Sequence, residues 1–151
     1  MFKIKDLQLL ACLRENSRQR LTKISRRTQL PVSTIFDKIS SYKNFARFTT
    51  IVNFATIGYT TKVHLLLKAG KDDKDRLEKY LENSENINSL YRINNGFDYM
   101  AEGIFKTIRD VEEFLDCIEG SFNIKDKEMH YVIDDIKRES FLSRPDIVVA
   151  P

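Results

Sequence analysis

The 151-residue sequence has no tryptophan, two cysteines, two histidines, three prolines and five glycines. Cys12 and Cys117 sit far apart in segments that read as helices. They offer neither a disulfide framework nor a metal-ligand spacing, so reduced, buried or half-buried thiols are expected. No apolar run approaches the roughly 20 residues needed to cross a bilayer. The opening Met1–Asp6 carries an acid and an amphipathic pattern where a signal peptide needs a continuous apolar stretch. A cytoplasmic chain with no membrane partner is expected.

Catalytic groups are also scarce. His64 and His130 fall on expected strands, with no Ser, Cys or carboxylate spaced to form a relay. The pairs Asp72-Asp73, Glu112-Glu113 and Asp134-Asp135 are adjacent in sequence and so make no carboxylate dyad. No Gly-rich phosphate loop occurs. The sequence therefore predicts no enzyme, cofactor or metal centre.

Hydrophobic residues make up 42% of the chain, with ten Phe and six Tyr, which is enough for a real core. The net charge of +3 conceals a strong asymmetry. Residues 1–50 hold eleven Lys and Arg against three acids, a net +8, whereas residues 51–151 hold fourteen bases against nineteen acids, a net −5. A basic head on an acidic body points to a polyanion-binding module joined to one that avoids polyanions.

Apolar spacing predicts a first helix from Asp6 to about Asn16, with Asp6 capping its first turn. A short second helix carries Leu21, Ile24 and Thr28, with Thr22 as its N-cap. After Leu30-Pro31 a third helix runs from Val32 to about Asn44, with Val32, Ile35, Ile39 and Tyr42 on one stripe. This is the outline of a helix-turn-helix, although Gln29-Leu30 occupies a turn that often contains Gly. Ala46–Phe54 reads as a strand that serves as wing and linker. Beyond Gly58 the period changes to two: a strand from Tyr59 to Leu67, a helix around Leu77–Asn83, and a strand Ile87–Ile93. An Asn-Gly loop then leads to a strand Tyr99–Phe105, a helix closing near Gly120, and a last strand Met129–Ile136. The order β-α-β-β-α-β is the ferredoxin-like unit, so the fold class is α+β, with a winged or simple helix-turn-helix followed by a ferredoxin-like sandwich. Expected boundaries are 1–48 for the head, 49–58 for the linker, 59–142 for the sandwich and 143–151 for a tail. In that tail Ile147-Val148-Val149 forms an edge strand or stays disordered. The sheet face without helices predicts self-association, most simply as a twofold dimer. An RNA-binding reading of the sheet fails, because the third strand lies in the acidic half and lacks the required Gly-aromatic motif.

The chain resembles the Lrp/AsnC (feast/famine) family of transcription regulators over roughly Ile4 to Leu142. Leu21–Ile39 is similar to the family's short helix, turn and recognition helix. Asn53–Tyr59 resembles its linker, Asn95–Tyr99 its Gly-x-x-Asp-Tyr stretch, and Tyr131–Lys137 its last strand. The sequence departs from that pattern at Gln29, Lys38, Ala46 and Asn95. The resemblance implies double-stranded DNA as partner and assembly as a homodimer, with tetramers or octamers open. It also implies a small amino-acid-like effector near Asn94, Asn95, Gly96, Phe97, Asp98 and Tyr99. Resemblance and charge together place Arg18, Arg20, Lys23, Arg26, Arg27, Lys43 and Arg47 against phosphates. They place Ser33, Thr34, Asp37, Lys38 and Ser41 against base edges, with Lys38 donating to guanine and Asp37 accepting from cytosine or pairing within the chain. The sirohaem decarboxylases, tetrapyrrole enzymes of the same architecture, supply a second reading through Arg47-Phe48 and Val52–Tyr59. The basic third-helix region is less expected of them.

Overall fold

A computed structural model describes residues 2–148 and divides into two compact units. Unit 1 comprises the residues up to Ile51 together with those from Ile136 onward, and unit 2 is Val52–Asp135.

Unit 1 contains α1 (Ile4–Glu15), α2 (Leu21–Thr28) and α3 (Val32–Ser41), the last extended by a 3₁₀ turn at Tyr42–Asn44. Asp6 accepts a hydrogen bond from the Lys3 backbone N–H at 3.0 Å, which closes the first turn of α1. Thr22 does not cap α2. It lies inside the helix, and Arg20 holds the cap position without a side-chain bond. Leu9, Cys12, Leu13, Ile24, Ile35 and Tyr42 form one buried cluster, to which α2 and α3 each turn one apolar stripe, whereas α1 is also buried on its other side at Ala11.

The turn between α2 and α3 is built from Gln29 in the left-handed conformation (φ 56°, ψ 33°). A non-Gly residue there costs about 1–2 kcal/mol. The turn is tied by the Gln29 N–H donating to Ser25 O (2.9 Å) and the Ser25 hydroxyl donating to Leu30 O (2.6 Å). Pro31 fixes the entry to α3 with φ −58°. The strand expected at Ala46–Phe54 is not formed: residues 46–53 carry no regular structure and Phe54–Ile57 is a 3₁₀ turn. Composition favours a strand, but a strand needs a ladder partner, and none is paired here. The described part of unit 1 has no strand, so its helix-turn-helix is the simple and not the winged form.

The described residues from Ile136 on cluster with these helices and not with the sheet. The Arg14 guanidinium donates to Phe141 O (2.6 Å) and Glu139 O (2.9 Å), and Pro145 is buried at the start of a 3₁₀ turn, Pro145–Ile147. The remainder of the tail, including Val149, lies outside the described residues.

Unit 2 runs β1 (Thr61–Ala69), α4 (Lys74–Glu82), β2 (Ile87–Arg92), β3 (Tyr99–Phe105), α5 (Ile108–Ser121) and β4 (Ile124–Tyr131). The strands pair antiparallel in the order β2-β3-β1-β4, as the ferredoxin-like order requires. Alternation places Val63, Leu65, Leu67, Tyr99, Ala101 and Phe105 against Leu77, Leu81, Val111, Leu115 and Ile118 of the helices. Gly103 lies inside β3 because a Cβ there would meet the Phe105 ring at 2.5 Å. Thr107 and Asp110 form a reciprocal capping box at the start of α5. The last strand starts earlier than expected, at Ile124 rather than Met129, and ends at Tyr131. It pairs on one side only, with β1, and its Lys-Asp-Lys-Glu stretch is exposed, so no apolar alternation marks it.

Candidate nucleic-acid interface

Leu21, Ile24 and Thr28 turn one side of α2 to the core and leave Lys23 and Arg26, one turn apart, exposed. Arg18 and Arg20 are exposed on the connection before α2, and Lys43 and Arg47 are exposed after α3. None of these six cations has a side-chain ion pair among the described residues. They form an unneutralised rim around the helix-turn-helix.

Two expected DNA contacts are engaged elsewhere. The Lys38 ammonium lies 2.6 Å from Asp6 on α1, with the Lys38 side chain 33% and the Asp6 side chain 13% exposed. The Lys38 hydrogen bond, helped by the Lys3 N–H, outweighs burial and holds the Asp6 carboxyl below its usual range. Lys38 therefore fastens α3 to α1 in this structure. Arg27 is bonded to Glu15 and, at 3.1 Å, to Asp146, so it braces α1, α2 and the C-terminal turn.

On α3, Ser33, Asp37 and Ser41 are exposed and Thr34 is half-buried. The Ser41 hydroxyl donates back to Lys38 O at 2.7 Å. Asp37 makes no side-chain hydrogen bond or ion pair among the described residues, so of the two alternatives the pairing within the chain is not formed here. The residue that the sequence reading missed is Phe36, 63% exposed on the same helix. Its signal was available: Phe36 is off the Ile35–Ile39–Tyr42 stripe by about one residue's rotation of roughly 100°.

In unit 2 the loop between β2 and β3 holds Asn95 at φ 64° and Gly96 at φ 107°, both left-handed, so the shifted glycine still gives a tight loop. Asn94, Asn95 and Gly96 are exposed and Phe97 is half-buried. Asp98 accepts from the Ala69 N–H (3.1 Å) and from Lys74. Burial raises its pKa, but the Lys74 and Ala69 bonds win and hold it below the usual range. The Tyr99 hydroxyl donates to Lys74 O at 3.1 Å, and burial pushes its pKa up to about 12. Asp98 and Tyr99 therefore shape the loop, leaving Asn94–Phe97 as its accessible part.

The sheet face away from the helices carries Lys62, His64 and Leu66 from β1 and Met100, Glu102 and Ile104 from β3. His64 and His130 are direct cross-strand partners there, with His64 Nε2 3.5 Å from Glu102 and His130 Nε2 3.2 Å from Glu128. Carboxylates thus stand beside both histidines, and among the described residues no hydroxyl or thiol hydrogen-bonds to either ring. Cys12 is buried, which raises its pKa, whereas Cys117 is exposed on α5, contrary to the half-buried position expected for it.

Comparison with known proteins agrees with this arrangement. An uncharacterized HTH-type transcriptional regulator of Pyrococcus furiosus is 19% identical over 137 residues, covering 89% of this chain and 93% of that protein. The HTH-type transcriptional regulator FL11 of Pyrococcus abyssi is 26% identical over 116 residues, covering 75% and 77%. The crystal structure of a transcriptional regulator from Neisseria meningitidis in complex with L-Met has a TM-score of 0.82 at 15% identity, covering 91% of this chain and 94% of that one. Because the family model for the Lrp/AsnC ligand binding domain matches residues 60–142, more than half of the sequence and nearly all of the sheet unit, the chain belongs to the Lrp/AsnC family.

Proposed function

We propose that this protein is a DNA-binding transcription regulator whose unit 1 docks α3 in the major groove. Arg18, Arg20, Lys23, Arg26, Lys43 and Arg47 contact phosphates, and Ser33, Thr34, Asp37 and Ser41 face base edges. The observation that carries this reading is the division among the cations. Arg27 and Lys38 are paired inside the unit, while the six on the rim are left free. A rim of unpaired positive charge repels itself, and it is stabilised when a polyanion binds. The names of the relatives as HTH-type transcriptional regulators support the same reading over a tetrapyrrole enzyme.

Unit 2 pairs copies through its open sheet face, so that two heads engage two half-sites about one helical turn apart. Higher assemblies build on that dimer. The accessible loop Asn94–Phe97 contributes to a site for an amino acid or related small molecule, a reading supported by the L-Met complex of the Neisseria regulator. Such an effector acts only if its affinity differs between assemblies. The test is fluorescence anisotropy with a duplex from the gene's own upstream region against a scrambled duplex over a salt series. Preference for the upstream duplex with a steep loss on adding salt is expected. Absence of binding at low salt would refute the assignment.

A further inference from the structure

The exposed surface of α3 has an unusual chemistry for a helix that reads DNA. With Lys38 held 2.6 Å from Asp6, the helix offers no free cation. Val32–Ser41 also contains no Arg, Asn or Gln. Guanine is read bidentately by Arg or Lys and adenine by Asn or Gln, so for purines α3 keeps only its Ser and Thr hydroxyls. What it exposes is Val32, Ser33, Phe36, Asp37, Ser40 and Ser41. Phe36 is 63% exposed, and Val32, one turn earlier and 40% exposed, lies beside it toward the N-terminal end of α3. That end of a recognition helix approaches the base edges most closely. Phe36 stacks on no other ring among the described residues, whereas Phe2, Tyr42 and Phe45 of the same unit pack together. Phe36 thus presents a largely bare aromatic ring on this surface. The thymine 5-methyl group is the apolar feature of the major groove that it matches.

We propose that Phe36, flanked by Val32, is a specificity determinant that reads thymine methyl groups. It acts beside Asp37, whose free carboxylate suits the cytosine amino group. This rests on the reading that α3 enters the major groove.

The test uses the upstream duplex in two forms, one with thymine and one with every thymine replaced by uracil, which deletes only the methyl group. Both are titrated with the wild-type protein, Phe36→Ala and Phe36→Leu. Burying one methyl group is worth about 0.8 kcal/mol, so each head should favour the thymine duplex roughly fourfold and a pair of heads on the order of 15-fold. Phe36→Ala should bind both duplexes equally, at the wild-type affinity for the uracil form and with an unchanged salt slope. Phe36→Leu should keep part of the preference. Equal binding of both duplexes by the wild-type protein would overturn the inference while leaving groove docking intact, and so would a preference that survives in Phe36→Ala. Failure to bind either duplex at low salt would overturn both the inference and the docking reading.

Discussion

Replacing Asp6 by Asn should loosen unit 1 through one defined interaction. Asn can still accept the Lys3 N–H, so the cap at 3.0 Å survives and only the charge facing Lys38 is removed. Opposite charges about 3–4 Å apart attract by roughly 4 kcal/mol at an effective dielectric of 20. Desolvation and side-chain ordering consume much of that, and with Asp6 mostly buried and Lys38 one-third exposed the net coupling should be about 1–2 kcal/mol. A double-mutant cycle with Lys38→Met isolates this value. Because the chain has two units, a single melting transition would mix them. Amide exchange at Leu9, Ile24 and Ile35, all fully buried in unit 1, reads the local opening free energy instead. Exchange in Asp6→Asn should accelerate by about 5- to 30-fold at neutral pH, since 1.36 kcal/mol is tenfold. The pH dependence has a fixed sign. The folded pKa of Asp6 is depressed from 3.8, so the stabilisation is fully present above that value and is lost as pH falls through the lower folded value. A coupling below about 0.3 kcal/mol, or a difference between variant and wild type that grows on acidification, would refute the assignment of Lys38 to α1.

Other consequences follow from individual packing details. The Tyr42 hydroxyl is buried with no hydrogen-bond partner among the described residues, so Tyr42→Phe should stabilise unit 1 by about 1 kcal/mol in the same exchange assay. Gln29→Ile, a β-branched residue in a left-handed turn, should destabilise it by about 1–2 kcal/mol, whereas Gln29→Gly should be neutral or better. Gly103→Ala drives a methyl group into the Phe105 ring and should cost unit 2 about 1–3 kcal/mol in denaturant unfolding.

Much of this molecule was legible locally. All the helices but α1 announce themselves by a single apolar stripe, and β1 by strict alternation, because each buries one side, whereas α1 is apolar on more than one side. The β2–β3 hairpin was visible in Asn95-Gly96 for the same local reason. What escaped depends on partners distant in sequence. β4 is an edge strand whose exposed charges hide its period, and Ala46–Phe54 has strand composition without a ladder. Within the candidate site, Lys38 and Arg27 look like any other base in a positive segment. Their commitments come from Asp6 on another helix and from Asp146 near the far end of the chain. Phe36 escaped for the opposite reason, since an apolar residue on a helix is ordinarily assigned to the core.

Arg26 and Arg27 are neighbours in sequence with opposite assignments, which makes them the most direct test of the account. Salt-dependent affinity for the upstream duplex should be measured for the wild-type protein, Arg26→Ala and Arg27→Ala. Each phosphate contact contributes about 0.9 to the slope of log affinity against log salt concentration. Arg26, exposed and unpaired, should lower the slope by about that amount per head when removed, and Arg27, bonded to Glu15 and Asp146, should leave it unchanged. An unchanged slope in Arg26→Ala, or a loss confined to Arg27→Ala, would contradict the claim that the free cations of unit 1 form the DNA-binding surface.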